Sequence, residues 1–250
     1  MNFEQSRILV TGGTSGVGRE LVAQLVGLGC RVVTCGRDAH RCARLREEFP
    51  QVLVIDGDLG QPGVPSEIVR QAVDYLGGLD MVVNNAGIQF IEDYLSGDFR
   101  EITERSRRQI DVNVTAPLEF ATASLPYLAK SEMPRLVFVT SGLAVFPKKS
   151  APVYCATKSA LRTFVMSLRY QLEDGGSPIK VIDAVLPLVD TPMTAGRGKE
   201  SEKMSPVDVA ATIITALQVP RPVVWIGKAK LLPWLTRLAP SIGRRALRNS

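Results

Sequence analysis

Seven short runs of apolar, β-rich residues punctuate this chain, at 7–11, 31–35, 52–56, 79–84, 136–140, 180–186 and 222–226. Each run is nearly all apolar rather than alternating, which is the pattern of a strand buried on both faces. Between them lie longer segments whose apolar residues recur every three or four positions, the spacing of an amphipathic helix. These cover about 19–28, 38–48, 65–76, 91–130, 153–168 and 206–217, with a break expected near Asn113, shortly before Pro117. Strand and helix in alternation leave few folds open. The reading is an α/β fold: one doubly wound parallel sheet in a single domain, with helices on both faces.

The turn after the first strand narrows this further. Thr11-Gly-Gly-Thr-Ser-Gly-Val-Gly18 joins the first strand to the first helix. In a doubly wound sheet, that turn is where a pyrophosphate meets a helix N-terminus. Gly12 permits the tight turn, while Gly16 and Gly18 let the backbone approach a ligand and the helix approach the sheet. The context points to a dinucleotide. The second strand ends Cys35-Gly-Arg-Asp38. An acid at this place suits the ribose 2′-hydroxyl of NAD, whereas an arginine suits the 2′-phosphate of NADP. Arg37 favours NADP(H), with a solvated loop arginine as the alternative. Asp38 stands just before a helix and is a better cap than ribose ligand. Asp58, past the third strand, is placed either to accept a hydrogen bond from an adenine amino group or to hold a turn.

Tyr154 and Lys158 stand four apart in a helical run, so one face presents both. A phenol beside an ammonium is a proton-transfer pair. The positive charge should draw the tyrosine pKa down from its ordinary value near 10. Such a pair is a weak pattern by itself. Its company strengthens it. Asn84-Asn-Ala-Gly87 closes the fourth strand on the edge where ligands bind. Asn113 sits within helical sequence that asparagine does not favour. Ser141 ends the fifth strand, thirteen residues before Tyr154.

Composition removes other classes. The hydrophobic fraction is 45% and the charged fraction 22%, as in soluble globular proteins. No run approaches ~18 uninterrupted apolar residues, so no membrane span is expected. The first residues lack the basic-then-apolar order of a secretory leader, and a cytoplasmic location is the reading. Cys30, Cys35, Cys42 and Cys155 show no Cys-x-x-Cys spacing, so reduced thiols are expected. A lone histidine, His40, leaves a metal site poorly supplied with ligands, and no metal is expected. His40 reads as a surface helix residue, Cys155 as packing, and Arg105, Arg107 and Arg108 as a solvated helix face. The net charge of +5 is concentrated at the end, where six Lys or Arg follow position 227 with no acid.

Together these residues resemble the short-chain dehydrogenase/reductase family. The glycine turn, Asn84–Gly87, Asn113, Ser141 and the Tyr154–Lys158 pair fall in its order and spacing, across about residues 7–227. The resemblance implies a Rossmann fold and a catalytic tetrad of Asn113, Ser141, Tyr154 and Lys158. Tyr154 would be the acid/base at the reacting oxygen, and Lys158 would lower its pKa and bind the nicotinamide ribose. Ser141 would hydrogen-bond the substrate, and Asn113 would hold a water linking Lys158 to solvent. Gly12, Thr14, Ser15, Gly16, Val17, Gly18, Arg37, Asp58, Asn85, Ala86, Gly87, Tyr154, Lys158 and Thr191 would meet the cofactor, Thr191 near the carboxamide, with Ile88 near the nicotinamide ribose and Thr140 beside Ser141. The implied activity is NADP(H)-dependent interconversion of a ketone and a secondary alcohol. A dinucleotide sensor without turnover, or an isomerase or dehydratase using the cofactor transiently, are the alternatives. A homodimer or homotetramer is implied, with a small-molecule carbonyl or alcohol substrate and no nucleic acid.

The family usually has Pro-Gly where this chain has Leu186 and Pro187, so the loop that leads to Thr191 should run differently. The division expected is a dinucleotide-binding and catalytic domain over 1–227, with a mobile substrate lid at 191–203 and a basic tail at 228–250. In the tail, Leu231, Leu235, Leu238 and Ile242 form an apolar stripe, and Pro233 and Pro240 divide it into short helices. The first reading packs that stripe over a substrate pocket; the second lays it on an anionic membrane surface. The lid wording and the tail are similar to a bacterial branch named after an oxidoreductase encoded beside teichoic-acid alanylation genes.

Overall fold

The computed structural model describes residues 3–248; the ends of the expected domain and tail, 1–2 and 249–250, lie outside the described residues. The chain builds β1 (Arg7–Thr11), α1 (Gly16–Gly27), β2 (Arg31–Gly36), α2 (Ala39–Glu48), β3 (Leu53–Asp56), α3 (Val64–Leu76) and β4 (Met81–Asn84). It continues through α4 (Phe99–Ile110), α5 (Ala116–Leu128), β5 (Arg135–Ser141), α6 (Pro152–Asp174), β6 (Lys180–Leu186), α7 (Pro206–Gln218) and β7 (Val223–Trp225). Two short helices, α8 (Leu232–Leu238) and α9 (Pro240–Arg248), finish it. The seven strands form one parallel sheet in the order β3-β2-β1-β4-β5-β6-β7. This is the doubly wound fold that the alternating pattern predicts.

Both faces are covered, which is why the strands read as unbroken apolar runs. Ile8 and Val10 point into a core shared with α1 and α7, whereas Leu9 points into a second core with α3, α5 and α6. All three side chains are fully buried. From β1 the chain moves outward to β2 and β3, then returns to the other side with β4. The carboxyl ends of β1 and β4 therefore diverge, leaving the crevice in which such sheets bind ligands.

Two stretches differ from the periodicity reading. Helix was expected from 91, but 88–98 is loop, and α4 begins at Phe99. Asp98 sets that start, accepting a hydrogen bond from Glu101 N at 2.8 Å. Tyr94, Leu95 and Phe99, which supplied the apolar spacing, are exposed. Nor does the helix break at Asn113. It passes through one wider π-helical turn, Asp111–Thr115, and continues into α5.

The tail forms two short helices with Pro233 in the first turn of one and Pro240 at the start of the other. Of the expected stripe, Leu235 alone lies in the packed face. Leu232, Leu235 and Leu247 meet Phe146 and Val185, and Gly243 lies against the Phe146 ring. Leu231, Leu238 and Ile242 of the predicted stripe are exposed, with Trp234 beside them. Among the described residues, no helix is long and apolar enough to cross a membrane.

Candidate active site

A cleft of about 400 Å³ opens along the carboxyl ends of the strands. Its first wall is the turn between β1 and α1. Gly12 takes φ +69°, and a β-carbon on Gly18 would lie 2.2 Å from Gly12 O, so neither place accepts a side chain. Thr34 braces the turn, donating to Val10 O at 2.6 Å and accepting from Gly13 N at 3.0 Å. Thr11 Oγ1 accepts from Asn85 N and Ala86 N, each at 3.0 Å, tying β1 to the end of β4. Asn85 Nδ2 donates back to Thr11 O at 3.0 Å.

Ser15 stands at the N-cap of α1 but makes no side-chain cap, and the first turn carries no acid. The orphan N–H groups of that turn face the cleft with Thr14, Gly16 and Val17. A cradle of bare N–H groups at a helix start fits a pyrophosphate. The dinucleotide reading therefore agrees with the donors present.

At the far end of β2, Arg37 and Asp38 line the cleft, joined by Arg41 from α2. Asp38 caps α2 as its position suggested, accepting from Arg41 N at 3.0 Å. Arg41 had no sequence signal beyond its place one turn into that helix. Asp58 also reaches the cleft, and its Oδ1 accepts from Gly60 N at 3.1 Å. It pairs with Arg108 of α4. Burial opposes its ionisation most strongly of any one effect, but the bonds from Arg108 and Gly60 N and the charges of Arg108 and Arg37 together hold it below the usual carboxylate range. Arg108 thus lines the cleft and is ion-paired; it does not belong to the solvated face the sequence suggested. Arg105 stacks over the Phe90 ring at 5.5 Å and pairs with Glu101, while Arg107 is exposed.

The other end of the cleft gathers Thr140, Ser141, Tyr154 and Lys158 with Ala86, Gly87 and Ile88. Ser141 is the last residue of β5, and its Oγ accepts from Leu143 N at 3.1 Å. Tyr154 and Lys158 occupy the first turns of α6, 9% and 4% exposed, with Lys158 Nζ 5.9 Å from the phenol ring centre. Nζ donates to Val139 O at 2.9 Å. Asn113 lies just behind the cleft wall, fully buried. Its amide accepts from Ile88 N and donates to Ile88 O, both at 2.8 Å, and donates to Thr157 Oγ1 at 3.2 Å. The π-helical turn is what swings it inward. A β-carbon on Gly87 would sit 3.3 Å from Asn113 Oδ1 and 3.4 Å from Lys158 Nζ, so those two atoms face each other across a glycine.

The electrostatics correct one expectation. Burial pushes the Tyr154 phenol up to about 12, with the Ser141 hydrogen bond pulling it partly back. It does not move down. The reason is the enclosure of the phenol itself, which outweighs the Ser141 bond. Lys158 is enclosed too: burial brings its ammonium down to about 8, partly offset by Asp183. Asp183, on β6, bonds Thr140 Oγ1 and lies 3.5 Å from Arg162 Nε. An acid inside an apolar strand was the signal for it.

The segment expected to form the lid is joined at its base. Val189 pairs with Met204, Asp190 N donates to Met204 O at 2.9 Å, and Met204 N donates to Leu188 O at 2.9 Å. Residues 191–203 are therefore a loop with clipped feet. Pro187 lines the cleft with Leu186, and Thr191 rests its methyl near Gly16, across the cleft. His40 is exposed on α2, and all four cysteines are free and buried.

Comparison with known proteins fits this geometry. Residues 6–202 match the short chain dehydrogenase family. The oxidoreductase DltE of Bacillus subtilis, itself described as uncharacterized, is 35% identical over 191 residues, 76% of this chain and 74% of that one. A short chain dehydrogenase of Burkholderia cenocepacia, solved in complex with NADP, superposes with a TM-score of 0.83 at 22% identity, covering 99% of each chain. A short chain dehydrogenase/reductase of Burkholderia phymatum, solved in complex with NAD, gives 0.84 at 17% identity, covering 100% of this chain and 98% of that one. The chain belongs to the short-chain dehydrogenase/reductase family and is an NAD(P)-dependent oxidoreductase of that family.

Proposed function

We propose that the enzyme uses NADP(H) to interconvert a ketone and a secondary alcohol, with Tyr154 as the acid/base. The observation that carries this reading is the meeting of Ser141, Tyr154 and Lys158 at one end of a cleft whose middle is the bare N-terminus of α1. When bound, the nicotinamide supplies or accepts the hydride. The residues supply position and the proton. Tyr154 is protonated at neutral pH and holds its proton ready for a carbonyl oxygen. Ser141 shares the hydrogen bonding of that oxygen. Lys158 keeps positive charge beside the phenol and binds the ribose. Asn113, across Gly87 from Lys158, anchors a water path to solvent. Thr14–Gly18 and Asn85–Gly87 seat the pyrophosphate and ribose, Asp58 the adenine, and Thr191 the carboxamide.

The NADP preference is supported by Arg37 and Arg41 at the end of β2, with Asp38 committed to capping α2. Solved neighbours carry NADP in one case and NAD in another, so the choice rests on this strand end. Exposed Ile110 on α4 and Met166 and Tyr170 on α6 support a homodimer or homotetramer, to be read by light scattering.

The test is hydride transfer by purified protein with NADPH or NADH over a carbonyl panel, comparing wild type with Tyr154→Phe. Equal turnover by the two proteins removes Tyr154 from the chemistry. Tight NADPH binding with no turnover of any carbonyl returns the protein to a sensor role.

A further inference from the structure

Of the three lid cations, Arg197, Lys199 and Lys203, none lines the nucleotide cleft; Lys199 is exposed and Lys203 pairs with Asp190 and Glu200, which leaves Arg197. Arg197 is partly buried, and its N–H donates to Thr194 O at 3.1 Å. Its guanidinium crosses to the loop after β4, where Nη1 donates to Gln89 Oε1 at 2.5 Å. Among the described residues it forms no ion pair. It is not part of the cleft lining. Its charge is felt instead by the Tyr154 phenol and by Lys148, a buried residue of the segment after β5. Gln89 directly follows Ile88, which lines the cleft with Tyr154, so the guanidinium is held beside that end of the cleft.

A guanidinium drawn partly out of water is costly unless an anion or several acceptors receive its N–H groups. Gln89 Oε1 takes one of five donors. Because that oxygen must face the guanidinium, the amide turns its NH2 the other way. Gln89 Nε2 is then buried without a partner. An anion at this junction would displace Oε1 from the guanidinium, and the amide, turned over, would offer its unpartnered NH2 alongside it. A carboxylate or phosphate has the oxygens to satisfy both, and Arg holds such groups in a two-point fork.

We propose that Arg197 and the Gln89 amide bind an oxyanion carried by the substrate, a carboxylate or a phosphate a few bonds from the carbonyl that Tyr154 addresses. This rests on the ketone/alcohol reading above and names its substrate class. Oxo acids with their hydroxy acids are one source of that chemistry; phosphorylated hydroxyketones with their alcohols are the other. A neutral analogue leaves both donors unpaired in the closed site, which is how such sites discriminate.

The experiment compares kcat/KM with NADPH for oxo acids against their methyl esters, and for phosphorylated against free hydroxyketones. It uses wild type, Arg197→Gln and Arg197→Lys. One anionic series should exceed its neutral counterpart by roughly 10-fold or more, chiefly through KM. That ratio should collapse toward one in Arg197→Gln and persist in part in Arg197→Lys. The series showing the preference identifies the oxyanion. Wild type that turns over charged and neutral partners alike overturns the proposal and leaves the ketone/alcohol reading intact. A preference that survives Arg197→Gln also overturns it, since a lid that merely collapses lowers both partners together and leaves their ratio in place. Weakened NADPH affinity in Arg197→Gln, with the ratio unchanged, assigns the arginine to the nucleotide instead. If no carbonyl is turned over, the underlying reading fails first. Calorimetric titration of the NADP-bound protein with the same carboxylates and phosphates then decides: binding lost in Arg197→Gln supports the oxyanion site, and no binding overturns it.

Discussion

Along one face of α6, the buried stripe changes character partway. Leu161, Val165 and Leu168 fill the core between this helix and the sheet, in the ordinary apolar manner. The preceding turns of the same stripe carry Lys158 and Tyr154, buried nearly as deeply. Each apolar member stabilises the fold by ~1.5–3 kcal/mol. The polar members do the reverse. Lys158 surrenders its hydration for a single carbonyl partner among the described residues, Val139 O, and both groups titrate away from their charged forms. The comparison shows a helix anchored by one half so that the other can hold chemistry in a place water would otherwise claim. The apolar half keeps the reactive half from moving, which is what proton transfer at fixed geometry needs.

Substitutions that separate the halves test this. The largest effect is expected from Tyr154→Phe, which removes one hydroxyl from the polar half. Carbonyl reduction should fall by about 10²–10⁴-fold with little change in melting temperature. A variant that melts instead of losing turnover would merge the two halves again. Next is Leu161→Ala, which should lower unfolding free energy by about 2–5 kcal/mol, measured by denaturant titration, while turnover per folded molecule is kept.

Lys158→Met is expected to do the opposite, abolishing turnover while raising stability by on the order of 1–3 kcal/mol. The sign follows from titration. Lys158 is lowered from 10.5 to about 8 in the folded chain, so between these values the unfolded chain binds more protons. Its opposition to folding is full below pH 8 and fades toward pH 10.5. The gain from Lys158→Met should shrink across that window in thermal melts at stepped pH. Carbonyl reduction by wild type should fall as pH rises through about 8, where Lys158 loses its charge.

A smaller effect belongs to the far end of the cleft. Arg37→Ala should weaken NADPH by roughly 10-fold, as expected for losing one desolvated charge contact, and leave NADH unchanged in fluorescence titration. Equal loss for both nucleotides would remove Arg37 from the 2′-phosphate.

Local geometry decided what could be read ahead of the structure. Strands buried on both faces show themselves as apolar runs, and β1, β2 and β6 fall where those runs are. Tyr154 and Lys158 share a face because four residues is nearly one turn, a relation that needs no tertiary contact. Arg197 and Gln89 are 108 residues apart and meet only because the lid folds back over the loop after β4. No spacing records that. Periodicity also misled at 91–98 and in the tail, for one reason. It registers apolar residues at helical intervals but not what they face, and Leu95 and Leu238 face outward. Charge attraction is visible in a pair of residues, whereas enclosure belongs to the whole fold, and at Tyr154 enclosure prevails.

The clipped base of the lid has a consequence for how such an enzyme can change. With Val189 joined to Met204, the loop can change length without parting β6 from α7. Doubling that loop would add only about 0.6 kcal/mol of closure entropy. Beyond Thr191 the loop should then behave as an exchangeable cassette. Insertions and replacements there can redirect the enzyme to new molecules while the hydride-transfer end of the cleft stays in register. Two enzymes of this build that trade the cassette should trade substrates while each keeps its own melting temperature.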